Sequence, residues 1–158
     1  MIQRIQSVFL LLLALAMLSV LFLPIWSKFD PISKQTIVLT ATQLAYAKAD
    51  AGMSVPTATW PIAVLAVASA AVAVLEIFQF RNRFNQLKLG ALNFLLIVGT
   101  IGAGFYYSGV GERLLNIKIP GEFAAGFYLP TLALLLNLLA NRFIRNDERL
   151  VRSQDRLR

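Results

Sequence analysis

Glu76 is the residue whose type and place most invite chemistry. It stands inside a long apolar block, "WPIAVLAVASAAVAVLEIF", and is one of only eight carboxylates in 158 residues. Asn93 and Asn137 stand in two further apolar blocks. A charged or amide side chain within such a block is costly unless something meets it. Counting rise per residue from the nearest basic boundary groups Glu76, Asn93 and Asn137 into one polar layer, which Gln6 would close. The layer has two readings. In the structural one, Glu76 snorkels or pairs with Arg81 or Arg142, and the asparagines bridge helices. In the functional one, a proton, ion or headgroup site is centred on Glu76.

The missing residue types narrow the chemistry further. The chain has no cysteine and no histidine. Thiolate nucleophiles, histidine general bases, Ser-His-Asp triads and Cys or His sites for zinc or haem are therefore excluded. No GxxxxGK[ST] or GxGxxG motif occurs. No catalytic residue, metal or cofactor is expected, and the chain does not read as an enzyme.

The elements that must position the layer are legible from hydropathy. Hydrophobic residues make up 58% of the chain, against ~45–50% in soluble domains. They gather in four blocks near the ~20 residues a helix needs to cross a ~30 Å hydrocarbon core. The expected fold is an all-α membrane protein: four transmembrane helices in a bundle, with a small extracytoplasmic segment that could hold short strands. The spans are placed at 7–26, 60–80, 89–107 and 123–143. Outer loops fill 27–59 and 108–122, a cytoplasmic hairpin fills 81–88, and a tail covers 144–158. The first block is long for a signal peptide and lacks an A-x-A-like cleavage site, so it reads as a retained span.

Trp26 and Trp60 fall where an interfacial aromatic belt would place them. Small residues in spans two and three predict that these two pack closely. In the first outer segment, "KQTIVLTATQLAYA" has strand character, and Leu114–Ile119 could pair with it. Pro130 should kink span four.

Charge gives the orientation. Arg4, Arg81, Arg83, Lys88 and the six arginines of the tail region share one side, against Lys28, Lys34, Lys48, Arg113 and Lys118 on the other. By the positive-inside rule both termini are cytoplasmic. The formal net charge of +7 flanks apolar spans, so anionic lipid headgroups are the expected partner rather than nucleic acid. If span four continues as helix, Arg145, Arg149, Arg152 and Arg156 form one stripe, with Asp155 close by. With Arg81, Arg83 and Lys88 of the hairpin, these residues are the candidates for docking lipid or another protein.

The start "MIQRIQ", the hairpin "RNRFNQLKL", the "FYLP" of span four and the tail "DERLVRSQDRLR" resemble a family of small four-span bacterial membrane proteins. That family is typical of Bacteroidota and is a domain of unknown function. Phe84 and Gln154 depart from its usual pattern but leave the arginines in place. The resemblance covers essentially the whole chain and implies a bacterial inner-membrane protein without implying an activity. The expected function is a non-catalytic accessory, scaffold or assembly subunit, working with other membrane subunits or with copies of itself. The alternative is a small oligomeric transporter or channel built on the polar layer around Glu76.

Overall fold

The structure is a computed structural model that describes residues 2–47, 57–79, 82–115 and 118–155. Four helices carry it: α1 (Ile2–Ser19), α2 (Trp60–Phe78), α3 (Arg83–Glu112) and α4 (Ala125–Asp155). Between them run β1 (Trp26–Asp30), β2 (Gln35–Leu39), β3 (Gln43–Tyr46), β4 (Thr57–Ala58) and β5 (Glu122–Phe123). The strands form one antiparallel sheet in the order β4-β3-β2-β1-β5. The all-α expectation is therefore wrong: a helical domain carries a real sheet across the segment taken as an outer loop.

The error begins at Ser19. The apolar run continues to Trp26, but Pro24 cannot extend a helix and biases the residue before it toward extended backbone. The Ser19 hydroxyl bonds back to the Leu15 carbonyl at 2.8 Å. The chain then leaves through two turns, Leu21 N–H to Leu18 O and Phe22 N–H to Ser19 O, and enters β1 at Trp26. That residue is buried, not part of an interfacial belt.

The β1–β2 hairpin is closed by Asp30, whose carboxylate accepts the Ile32 N–H at 3.0 Å and the Ser33 hydroxyl at 2.8 Å. Lys34 takes the left-handed conformation, φ 55°. The strand expected over residues 34–47 is two strands, because Thr40 makes a turn: its hydroxyl donates to Gln43 O and accepts Gln43 N–H. The second outer segment pairs through Glu122–Phe123 with β1, not through Leu114–Ile119 with β2. Part of that expected strand, residues 116–117, lies outside the described residues.

The residues read as a cytoplasmic hairpin mostly belong to α3. Asn82 caps that helix, its side chain accepting the Asn85 N–H at 3.2 Å. α4 runs without a break through Pro130. Each helix packs on two others, α1 and α3 each lying against α2 and α4. The α2–α3 contact foreseen from small residues is present, and Gly99 lies against Leu65. The α1–α4 contact is the more extensive, with Phe9 and Phe143 stacked at 5.6 Å.

Burial in the bundle is inverted. Its interior mixes small and polar groups, Ala66, Ala70, Ala73, Ala133, Ser69, Glu76, Asn93 and Asn137, with Leu10, Leu13 and Met17 of α1 and Ile97 of α3. Its exterior carries Leu11, Leu15, Val64, Val67, Leu92, Leu95, Leu132, Leu135 and Leu138. A third or less of each long apolar window is covered by the rest of the chain. In water such a surface would far exceed the apolar patches a soluble monomer tolerates.

α2, α3 and α4 are each long and apolar enough to cross a membrane, while α1 contributes a shorter apolar helix over Ile5–Ser19. At the sheet end, Phe22, Trp60, Tyr106 and Tyr128 are exposed, one beside each helix. Phe78 and Phe84 are exposed at the other end. From Trp60 to Phe78 the rise is about 27 Å, close to the ~30 Å of a hydrocarbon core.

Candidate functional site

The polar interior is organised by bonds between neighbouring helices. The Ser69 hydroxyl donates to Asn93 Oδ1 at 2.5 Å, joining α2 to α3. Gln86 Nε2 donates to the Glu76 carbonyl at 3.2 Å, joining the same helices nearer their connection. Ser69 and Glu76 are seven residues apart, as are Gln86 and Asn93. Both helices therefore space the two ties by about 10 Å. Asn137 Nδ2 donates to the Gly90 carbonyl at 3.0 Å and brings α4 in.

The three residues expected to form one layer thus sit in two tiers. Ser69 and Asn137 meet α3 over Gly90–Asn93, and Glu76 lies about two turns from Ser69, level with Gln86. Gln6 is buried on α1. Gln86 was expected in a cytoplasmic loop and is instead a buried tie.

Within these tiers several buried atoms have no hydrogen-bond partner among the described residues: both carboxylate oxygens of Glu76, Gln6 Nε2, Asn93 Nδ2, Asn137 Oδ1 and Asn141 Oδ1. The Glu76 carboxylate accepts no hydrogen bond from Arg142, which lines a groove on the α3–α4 surface. Unmet polar atoms cost about 1–3 kcal/mol each in a protein interior. Among the described residues, no three Asp, Glu, His or Cys side chains gather closely enough to hold a metal ion.

A second polar centre, absent from the sequence reading, lies where the sheet meets the bundle. Lys28 was counted only as an outer charge, yet it is 1% exposed. Its ammonium donates to the Glu112 carbonyl at 3.0 Å and contacts the Glu112 carboxylate at 3.2 Å. That carboxylate also accepts the Gly121 N–H at 3.1 Å. Glu112 ends α3, so the cation sits at the negative end of the helix dipole.

Trp26 fills the neighbouring space so closely that a side chain on Gly121 would collide with its indole. Asp30 shares the inward face of β1 with Trp26 and Lys28. The Ser33 hydroxyl, then the Ile32 N–H, holds its carboxyl below the ordinary value of 3.8, with burial opposing and Lys28 assisting. The alternation of "WSKFD" carried this signal, since Trp26, Lys28 and Asp30 recur at period two.

Of the docking candidates, Lys88 lies over the Phe84 ring, 4.4 Å from its centroid. Arg145 is exposed beside Arg142 on the α3–α4 groove. The backbone of α4 is helical to Asp155, which carries Arg149, Arg152 and Asp155 on one continuous helix with Arg145. Arg81 and Arg156 lie outside the described residues, as do the side chains of Arg83, Arg149, Arg152 and Asp155.

Three helices long and apolar enough to cross a membrane, an apolar exterior and aromatic rings at both ends suggest a helical membrane protein with an antiparallel cap. The chain belongs to the family described as Domain of unknown function (DUF4293), whose model matches residues 2–157. No curated protein matches it.

Proposed function

We propose that this protein is a non-catalytic accessory, scaffold or assembly subunit of a larger complex in the bacterial inner membrane, with both termini cytoplasmic and the sheet outside. Its resemblance to four-span proteins typical of Bacteroidota supports the compartment. The arginine asymmetry supports the orientation. With both termini on one side, α1 crosses together with the three longer helices, and exposed Phe22 beside its outer end fits that placement.

The observation that carries the functional reading is the length of α4. Its 31 residues extend about 46 Å, some 16 Å more than a ~30 Å hydrocarbon core requires. The excess is a basic helical extension on the cytoplasmic side, suited to meeting a partner subunit. Purification from native membranes in mild detergent tests this. A stoichiometric second subunit, lost when residues 147–158 are deleted, is the expected result. Recovery of the intact chain without any partner contradicts it.

A second reading, a small oligomeric transporter or channel, is favoured by one observation: the two Glu76 oxygens have no partner in the buried tiers. In that reading a donor or cation from outside the chain completes the site. Glu76→Gln should then abolish solute or ion flux in vesicles while leaving the protein folded. Unchanged flux removes Glu76 from any transport path.

A further inference from the structure

A groove of about 710 Å³ lies between α3 and α4, toward the end of the bundle away from the sheet. Ala91, Phe94 and Leu95 of α3 and Leu138 of α4 form its apolar part. Asn141, Arg142 and Arg145 form its polar end. The division follows the helix: Leu138, Arg142 and Arg145 recur at steps of four and three, so they share one face of α4. Gly90 lets the two helices approach here, because a side chain on it would collide with the Asn141 amide. The Lys28–Glu112 ion pair lies at the opposite end of the molecule.

We propose that this groove binds one phospholipid with an anionic headgroup. The headgroup phosphate bridges the Arg142 and Arg145 guanidiniums, and one acyl chain lies along Phe94, Leu95 and Leu138. Three features select this occupant. The charge is complementary, since two adjacent guanidiniums present several N–H donors to phosphate oxygens. The volume lies within the ~300–1,000 Å³ of small-molecule sites and is far more than a free phosphate ion fills. The sequence of surfaces also matches an amphiphile: leucine and phenylalanine come first, and cations follow within about 10 Å along the helix axis. Basic recesses between membrane helices on the cytoplasmic side suit anionic headgroups. The inference rests on the membrane placement proposed above but not on the accessory role.

Native mass spectrometry of the full chain, extracted in mild detergent from bilayers mixing phosphatidylglycerol and phosphatidylethanolamine, tests the site. The wild type should retain one phosphatidylglycerol in preference to phosphatidylethanolamine. The Arg142→Gln/Arg145→Gln variant should lose at least tenfold of that retention, whereas Arg113→Gln, which removes a charge at the other end, should not. Leu95→Trp, which fills the apolar wall and keeps both arginines, should also displace the lipid. Circular dichroism and thermal unfolding establish that each variant is folded. Equal retention of the two lipids, or retention by the double variant at the wild-type level, overturns the proposal. Displacement of the lipid by millimolar inorganic phosphate reassigns the site to a free anion and also overturns it. Loss or presence of a protein partner leaves this readout unaffected.

Discussion

The helical bundle and the sheet cap solve the burial problem in opposite ways. In α2, α3 and α4 many leucines and valines face outward while Glu76, Asn93, Asn137 and Ser69 face inward, beside Leu10 and Leu13 of α1. In the cap, Trp26, Ile37, Leu39 and Leu44 are buried against the helix ends, and the hairpin tip is held by the Asp30 turn. On the membrane placement proposed above, one chain contains two solvent regimes. Where lipid is the solvent, leucine gains nothing by burial, so small residues and hydrogen bonds between helices supply cohesion. Where water is the solvent, apolar burial supplies it, at roughly 25 cal/mol per Å². α3 joins the regimes. Its final turns rise past the level of Trp60 and end at Glu112, where buried Lys28 locks the sheet to the helix.

The sharpest way to break this contrast is to place the same charge on an exposed apolar residue in each region. Leu135 and Ile32 are both exposed. Leu135→Arg should cost about 2.5–3.5 kcal/mol in insertion, read as loss of membrane-integrated protein. Ile32→Arg should change stability by less than about 0.5 kcal/mol. Equal tolerance at both sites would remove the two-solvent description.

The next largest effect is at the join. Lys28→Met should destabilise the cap by about 2–3 kcal/mol. That is below the ~3–5 kcal/mol of a fully buried pair, because the Glu112 side chain is 32% exposed. Adding Glu112→Gln should recover part of the loss, since the glutamine oxygen can still accept the Gly121 N–H. Limited proteolysis of the sheet, with the bundle as internal reference, measures both. Within the bundle, Asn137→Leu removes the tie to Gly90 and should cost about 0.6 kcal/mol and no more than ~1.7 kcal/mol, read by thermal unfolding in detergent.

The smallest effect is a pH dependence confined to the cap. The Asp30 carboxyl titrates lower in the folded protein than in the unfolded chain. Its stabilising contribution is fully present above the ordinary value of 3.8 and disappears as pH falls through the lower folded value. Asp30→Asn should flatten that acid limb of cap stability and leave the bundle unchanged.

The sequence disclosed the bundle more fully than the cap. Apolar length located the three helices long enough to cross a membrane, and the positions of Glu76, Asn93 and Asn137 inside apolar blocks marked them for burial. Their depths differ although each stands a similar number of residues from its own charged boundary. Helix ends do not share a common plane: α3 starts at Arg83, inside the expected hairpin. The cap was largely hidden because its strands are two to five residues long, too short for periodicity to stand out. Its first strand also follows an apolar run that imitates a helix until Pro24. Lys28 looked like an ordinary loop charge, since the partner that buries it lies 84 residues away. The α3–α4 groove depends on Gly90 and Asn141 meeting across two helices, which no local pattern records.

Because the chain contains no cysteine, single cysteines report its placement without background. Cysteine introduced at Ile32, Leu135 or Asn146 should be tested in intact and permeabilised cells with a membrane-impermeant maleimide. The expected result is labelling of Ile32→Cys in intact cells, labelling of Asn146→Cys only after permeabilisation, and protection of Leu135→Cys in both. Labelling of Leu135→Cys in intact membranes, or of the Ile32 and Asn146 positions from the same side, would contradict a lipid-embedded bundle with the sheet outside.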